Sequence, residues 1–314
     1  MQILVTGGAG DVGRYLVQDF CYHGHQVRVL DRALSFLDSP GSSQVNLCGG
    51  NLEDKELVAR AVDGVEAVIH LAWSFSDEPL DIFGGDLVGH INLLAASVRA
   101  GVKHFIYTST ATVYGRATTR PVLEDHPCLV GEARKPIYAL GKFAAEELCR
   151  HYYREQGLPV TIFRFWWAFG EEIGGRHLRN LVRAVLHDDS IQVPVLAGGT
   201  LVSLADLALA CRLALSRSGA AGQTYNLGSL YLSWEEIASL LIELTGSGSE
   251  LQVIPPGEWT GPVFLNEVWD LSWEKAAREL DYQPVFTGSQ GRAAFVKALV
   301  KCINKVRVTE KKHS

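Results

Sequence analysis

The sequence predicts an α/β chain: a doubly wound, mostly parallel sheet filling its first half, followed by a smaller C-terminal α/β lobe. Three observations carry this expectation. From residue 1 to about 164, short apolar or β-branched runs alternate with stretches of helical periodicity, the pattern of strands covered on both faces by crossover helices. Glycines fall just after the helical stretches. The 314 residues also exceed the usual size of one domain. Residues 1–164, with a return segment at about 202–228, are therefore expected to form one domain, and 165–201 with 229–314 the other.

Strands are expected at 2–5, 26–30, 44–48, 67–71, 104–108 and 160–163, and helices at 12–23, 55–62, 82–100 and 137–156. Gly24, Gly64, Gly101 and Gly157 follow these helices, where a left-handed residue closes the last turn. Beyond Arg164 the alternation loosens into the aromatic, glycine-rich stretch 165–175, then a helix at 178–186. A helix at 204–216 and a strand at 224–227 read as a return to the main sheet. From about 230 helix and strand signals mix, with Pro255, Pro256 and Gly257 marking a loop.

Composition narrows the function classes. With 47% hydrophobic and 20% charged residues the chain is an ordered globular one. Its net charge of −6 leaves no basic footprint beyond a short cluster at Lys301, Lys305, Arg307, Lys311 and Lys312, so nucleic acid is not an expected partner. No apolar run approaches membrane-spanning length, and Met1 to Thr6 run directly into a strand and glycine loop without a charged leader. Cys21, Cys48, Cys128, Cys149, Cys211 and Cys302 form neither a CxxC pair nor a metal-ligand spacing. Reduced thiols, no metal and a cytoplasmic location are the expectation.

Gly7, Gly8, Ala9, Gly10, Asp11, Val12 and Gly13 lie between the first strand and the first helix. Glycines there permit a tight turn, close approach of backbone to a pyrophosphate, and close packing of helix on strand, while free helix N–H groups face the anion. Asp31, 18 residues after Gly13 at the end of the second strand, has the spacing of a carboxylate that holds adenosine ribose hydroxyls. This is a Rossmann-type pattern. The carboxylate favours NAD over NADP, whereas Arg32 beside it is the residue type that accepts a 2′-phosphate.

A second constellation follows. The stretch from Thr108 to Gly115, rich in hydroxyls, comes after a strand, and Tyr138 and Lys142 stand four apart on one face of an expected helix. An ammonium beside a phenol lowers the cost of the phenolate, so Tyr138 is placed to exchange a proton with an alcohol or ketone oxygen. The Thr110 hydroxyl is placed to bond the same oxygen, and hydride passes to or from the nicotinamide. Such Tyr/Lys pairs also arise on solvated helix faces; the preceding dinucleotide fingerprint and hydroxyl-rich strand end give this one chemical meaning.

With these motifs the sequence resembles the extended short-chain dehydrogenase/reductases, in particular the sugar-nucleotide epimerase/dehydratase group. The resemblance spreads over most of the chain and is densest at 1–170, where Asn51-Leu52, His70-Leu71-Ala72 and Asn92-Leu93-Leu94 add to it. Val202 to Ala208, Tyr225 to Gly228, Lys275-Ala276 and Leu280 to Pro284 echo later family motifs. It implies catalysis by Thr110, Tyr138 and Lys142. NAD would be held by Gly7, Gly10, Asp11, Val12, Gly13, Asp31, Arg32, Asn51, Leu52, Leu71, Ala72, Ser109, Tyr138 and Lys142. Trp73, Thr110, Ala111, Trp167 and Arg179 would touch a small, sugar-like substrate, and a homodimer would form through the helices carrying Asn92 and Tyr138.

Departures bear on the substrate. Trp167 stands where the family commonly has an Asn near the substrate phosphates, and Gly199-Thr200 replaces an Arg-Asp pair. Arg176, Arg179 and Arg183 either supply the missing charge or form one polar helix face. Ala111-Thr112 replaces the Asp-Glu pair of the 4,6-dehydratases, which sets that reaction aside, and Asp86 replaces an Asn. Trp73, Phe75, Trp166 and Trp167 can form an aromatic wall, with Trp166 and Phe75 read as core packing. Two enzymatic readings result: epimerisation through transient oxidation, and net oxidation or reduction of a small sugar, uronate or hydroxy-ketone. A non-catalytic dinucleotide sensor is a third, against which Tyr138 and Lys142 speak.

Overall fold

The computed structural model describes residues 1–34, 44–171 and 173–311. Its elements in chain order begin with β1 (Gln2–Thr6), α1 (Asp11–Tyr22), β2 (Gln26–Asp31), β3 (Val45–Gly49), α2 (Lys55–Val62), β4 (Ala67–His70), α3 (Leu87–Ala100), β5 (His104–Thr108), α4 (Pro136–Gln156) and β6 (Val160–Arg164). There follow β7 (Trp167–Phe169), α5 (Arg176–Leu186), β8 (Ile191–Pro194), β9 (Gly198–Ser203), α6 (Leu204–Ser216) and β10 (Thr224–Asn226). Last come β11 (Leu230–Ser233), α7 (Trp234–Thr245), β12 (Leu251–Ile254), β13 (Val268–Trp269), α8 (Glu274–Leu280) and α9 (Gly288–Lys311).

Seven strands form one all-parallel sheet in the order β10-β6-β5-β4-β1-β2-β3. Alternation along β1 assigns its side chains: Ile3 and Val5 join Leu16, Phe20 and Leu207 on one face, while Leu4 joins Val58, Leu93 and Phe105 on the other. The order reverses between β4 and β1, and at such a switch point the loops diverge and leave a crevice at the carboxyl ends of the strands. In a second sheet β9 pairs antiparallel with β11 and parallel with β7 and β13; β8 and β12 form a parallel pair. The apolar faces of α5, α7 and α9 enclose a separate core around Leu178, Trp234 and Phe295.

Local chemistry sets most helix ends. Asp54 caps α2 by accepting from the N–H groups of Glu56 and Leu57, a contact worth about 1 kcal/mol. Ser233 and Glu236 make a reciprocal capping box on α7. Gly101 and Gly157 close α3 and α4 in left-handed geometry, whereas Gly24 and Gly64 do so one residue beyond the caps His23 and Asp63.

Boundaries differ from expectation by a residue or two except at the helix expected from 82. There Leu80–Asp86 winds as a π-helical turn and α3 begins at Leu87. Gly84 and Gly85 lower the α-helical preference of that stretch, and Asp86 is held from outside it by Ser74. Of the C-terminal basic cluster, Lys312 lies outside the described residues. Among the described residues no helix is long and apolar enough to cross a membrane.

Candidate active site

The crevice above the switch point is a cleft of about 1310 Å³. Single small-ligand sites span roughly 300–1,000 Å³, so this one has room for a dinucleotide and a second ligand. Its first end is built from backbone. Gly7 has φ +72°, and a Cβ there would lie 2.8 Å from the Ala72 nitrogen; a Cβ on Gly13 would lie 2.2 Å from the Gly7 carbonyl oxygen. Both positions therefore exclude a side chain. Gly10 caps α1 without a side-chain bond, and Gly10, Asp11, Val12 and Gly13 line the cleft.

Asp31, at the end of β2, accepts from the Ala9 N–H at 3.0 Å and the Ala33 N–H at 3.2 Å, tying the glycine loop to the strand. Arg32, Asn51 and Leu52 line the same end. Buried Asn92 donates to the Leu52 and Glu53 carbonyls at 3.0 and 3.2 Å, so α3 fixes that loop. Leu71 and Ala72 face it across the cleft, where the Thr6 hydroxyl meets His70 Nδ1 at 2.7 Å and accepts from the Ala72 N–H at 3.4 Å.

The other end is built from side chains. Tyr138 and Lys142 share the buried face of α4, with Ser109 and Thr110 opposite at the end of β5. Asp77 accepts the Tyr138 backbone N–H at 2.9 Å and so fixes the first turn of α4. Thr110 opens a 3-10 turn, its oxygen accepting from the Thr112 N–H at 3.2 Å and sharing a hydrogen bond with the Thr112 hydroxyl at 3.0 Å, and it lies near enough to the Tyr138 phenol to favour its ionised form. Lys142 Nζ donates to the Thr108 carbonyl at 2.9 Å and stands over the Trp73 and Tyr107 rings at 4.4 and 4.9 Å.

Electrostatics here run against one expectation. Burial pushes the Tyr138 phenol well up, Thr110 opposes this, and Lys142 is not among the groups that lower it. The reason is geometric: the ammonium is engaged by the Thr108 carbonyl and two rings rather than by the phenol. Burial also pulls the Lys142 amine down to about 7, against the pull of Asp86 and Glu146. Beneath it His70 and His90 stack at 5.1 Å, both held neutral by burial.

Two substrate-side expectations are corrected. Ala111 is fully buried among Tyr114, Val122 and Leu271, because the 3-10 turn carries it away from the cleft. Phe75, read as core packing, is 80% exposed and stacks on the Tyr138 ring at 5.9 Å and 18°. Trp73, Trp167 and Arg179 do line the cleft, together with Trp166. Asp77 and Asp86 act through loop contacts that no local spacing in the sequence announces. Arg164, at the end of β6, pairs with buried Glu146 at 2.5 and 2.9 Å and so anchors the strand leading into Trp166 and Trp167.

A glycine cradle that excludes side chains, leading to a buried phenol, hydroxyl and amine, defines a Rossmann-type dinucleotide-binding enzyme. The chain belongs to the NAD dependent epimerase/dehydratase family, whose sequence pattern matches residues 3–228. It is similar to the uncharacterized protein y4nG of Sinorhizobium fredii, at 30% identity over 91% of this chain and 76% of that one. Its fold matches UDP-glucose 4-epimerase of Thermotoga maritima, solved with UDP-glucose, with TM-score 0.79 and 25% identity over 97% and 99% of the two chains. UDP-glucose 4-epimerase of Thermus thermophilus, solved with NAD, matches with TM-score 0.75 and 26% identity over 95% and 99%. NAD is the cofactor, and the strict glycine positions and Asp31 fit it.

Proposed function

We propose that this cleft carries out reversible hydride transfer at a secondary hydroxyl of a sugar-like substrate, and that the net reaction is epimerisation. The observation that carries it is that Thr110, Tyr138 and Lys142, all buried, line one cleft together with the glycine loop. Bound NAD supplies the acceptor and donor of the hydride. In the oxidising direction Tyr138 Oη takes the proton of the substrate hydroxyl while Thr110 bonds the oxygen as it becomes a carbonyl. In the return direction the neutral phenol, the form that burial favours, gives the proton back. Gly7, Gly10, Gly13, Asp31, Asn51 and Leu52 hold the cofactor in this reading, and Arg32 sits ready for a 2′-phosphate if NADP is offered. Residues 1–164 and 202–228 act as the cofactor-holding part. The exposed apolar residues Val88 and Ile91 of α3 and Leu140 of α4 supply a homodimer contact.

The test is incubation of NAD-loaded protein with candidate sugars. Inversion at one carbon by NMR without net absorbance change at the NADH wavelength supports the epimerase. Stoichiometric NADH formation moves the assignment to the second reading, net oxidation or reduction of a compact substrate, which the aromatic wall favours. Neither change, with cellular function intact in Tyr138→Phe, assigns the chain to cofactor sensing.

A further inference from the structure

We infer that the substrate is a compact ring compound bearing one carboxylate and no nucleotide diphosphate, with its ring against Trp167 and its carboxylate on Arg179. This rests on the hydride-transfer reading above and names the substrate class for it.

The wall facing the catalytic groups is made of rings. Trp166 and Trp167 meet edge to face at 5.8 Å, Trp166 stacks on Phe264 at 5.7 Å, and Trp167 packs on Trp234 at 5.8 Å. This cluster lies directly on the backbone of β9: a Cβ on Gly199 would come within 2.3 Å of the Trp166 indole. The indole therefore fills the space into which that position of β9 would project a side chain. A ring face carrying C–H groups packs well on an indole, whose π-face is electron-rich.

Charge limits what else can bind. Of the three arginines on α5, Arg183 is held by Asn180 at 3.0 Å and stands 3.9 Å from Glu310, while Arg176 is exposed off the cleft lining. Arg179 lines the cleft, and its guanidinium makes no hydrogen bond or ion pair among the described residues. A planar fork of N–H donors matches one carboxylate in bidentate fashion. The catalytic half also contains Asp81 and Asp86, while the Lys142 amine is engaged by Thr108. A diphosphate would bring at least two negative charges to a half of the cleft whose lining holds one unpaired guanidinium and two carboxylates beside an amine already engaged by Thr108, an unfavourable balance of charge.

The test titrates NAD-loaded protein calorimetrically with UDP, dTDP, glucuronate, galacturonate and glucose, and follows turnover of the sugars. Binding of a uronate, with neither nucleoside diphosphate binding at millimolar concentration, is the expected result. Arg179→Met should raise KM for the uronate about 10- to 100-fold and leave glucose unchanged, with Arg179→Lys recovering part of the loss. Trp167→Ala should weaken both sugars alike. Micromolar binding of UDP or dTDP, failure of both uronates to bind, or an equal loss for uronate and glucose in Arg179→Met overturns the inference. Tyr138→Phe separates the two claims: uronate binding kept with turnover lost supports both, whereas turnover kept removes the hydride-transfer reading and leaves the binding result standing.

Discussion

At the cofactor end of the cleft the surface is main chain, with glycines at positions where a Cβ would strike a carbonyl or amide; at the opposite end it is indole, phenol and guanidinium. The backbone cradle is a property of the fold, because Gly13 cannot change without moving β1 or α1. The ring wall stands on a separate sheet and core, so its chemistry can change while the seven-stranded sheet stays as it is. On the proposed reading, one protein thus combines a fixed cofactor grip with an adjustable substrate surface.

Five substitutions bear on that contrast. The largest effect belongs to Tyr138→Phe, which should lower kcat by about 10²- to 10⁴-fold with NAD affinity unchanged by fluorescence titration; a comparable loss of affinity would merge the two ends into one unit. Gly13→Ala places a methyl 2.2 Å from the Gly7 oxygen and should cost about 1–3 kcal/mol in denaturant unfolding and abolish NAD binding. Lys142→Met tests the buried amine. Its folded pKa, about 7, lies below the ordinary 10.5, so between these values the unfolded chain holds the extra proton and wild-type stability rises with pH, by at most about 1.4 kcal/mol per unit. Below about 7 the cost of the buried charge is fully present. The variant should therefore exceed wild type in Tm most at acidic pH, and the gap should narrow steadily as pH rises from about 7 toward 10.5.

Asp31→Asn should weaken NAD about tenfold, the equivalent of one charged hydrogen bond. It should also shift the NADP-to-NAD affinity ratio toward NADP, since Arg32 is then no longer opposed. The smallest effect is expected from Phe75→Ala: the ring is exposed, so stability should change by less than about 0.5 kcal/mol, while KM rises a few-fold through loss of the stack on Tyr138.

What the sequence made legible follows the same division. Strands such as His104–Thr108, buried on every residue, leave aromatic and β-branched runs without the alternation of a half-exposed strand, and the glycine loop between β1 and α1 is contiguous in the chain. The C-terminal sheets are built from strands as short as Val268–Trp269, paired with partners far away in sequence, so no run is long enough to show a period. Phe75 misled because an isolated phenylalanine ordinarily marks a core, and here the exposed ring stacks on the Tyr138 phenol at the cleft. Ala111 misled because neighbours along a chain share a surface only while the backbone stays extended, and the 3-10 turn begins at that residue. Asp77 is 61 residues from Tyr138, a contact that only folding creates.

The π-helical turn Leu80–Asp86 has a further consequence. Its bonds run from i to i+5, one residue more per ring than in the α3 helix it joins. Loss or gain of a single residue there would rotate Leu80 and Asp81 around the cleft rim while Leu93 and Leu94 kept their seats beneath the sheet. The turn thus joins the mouth of the cleft to the body of the protein, because its buried Ile82 fills the space against Gly141 of α4 and would have to move with the rim.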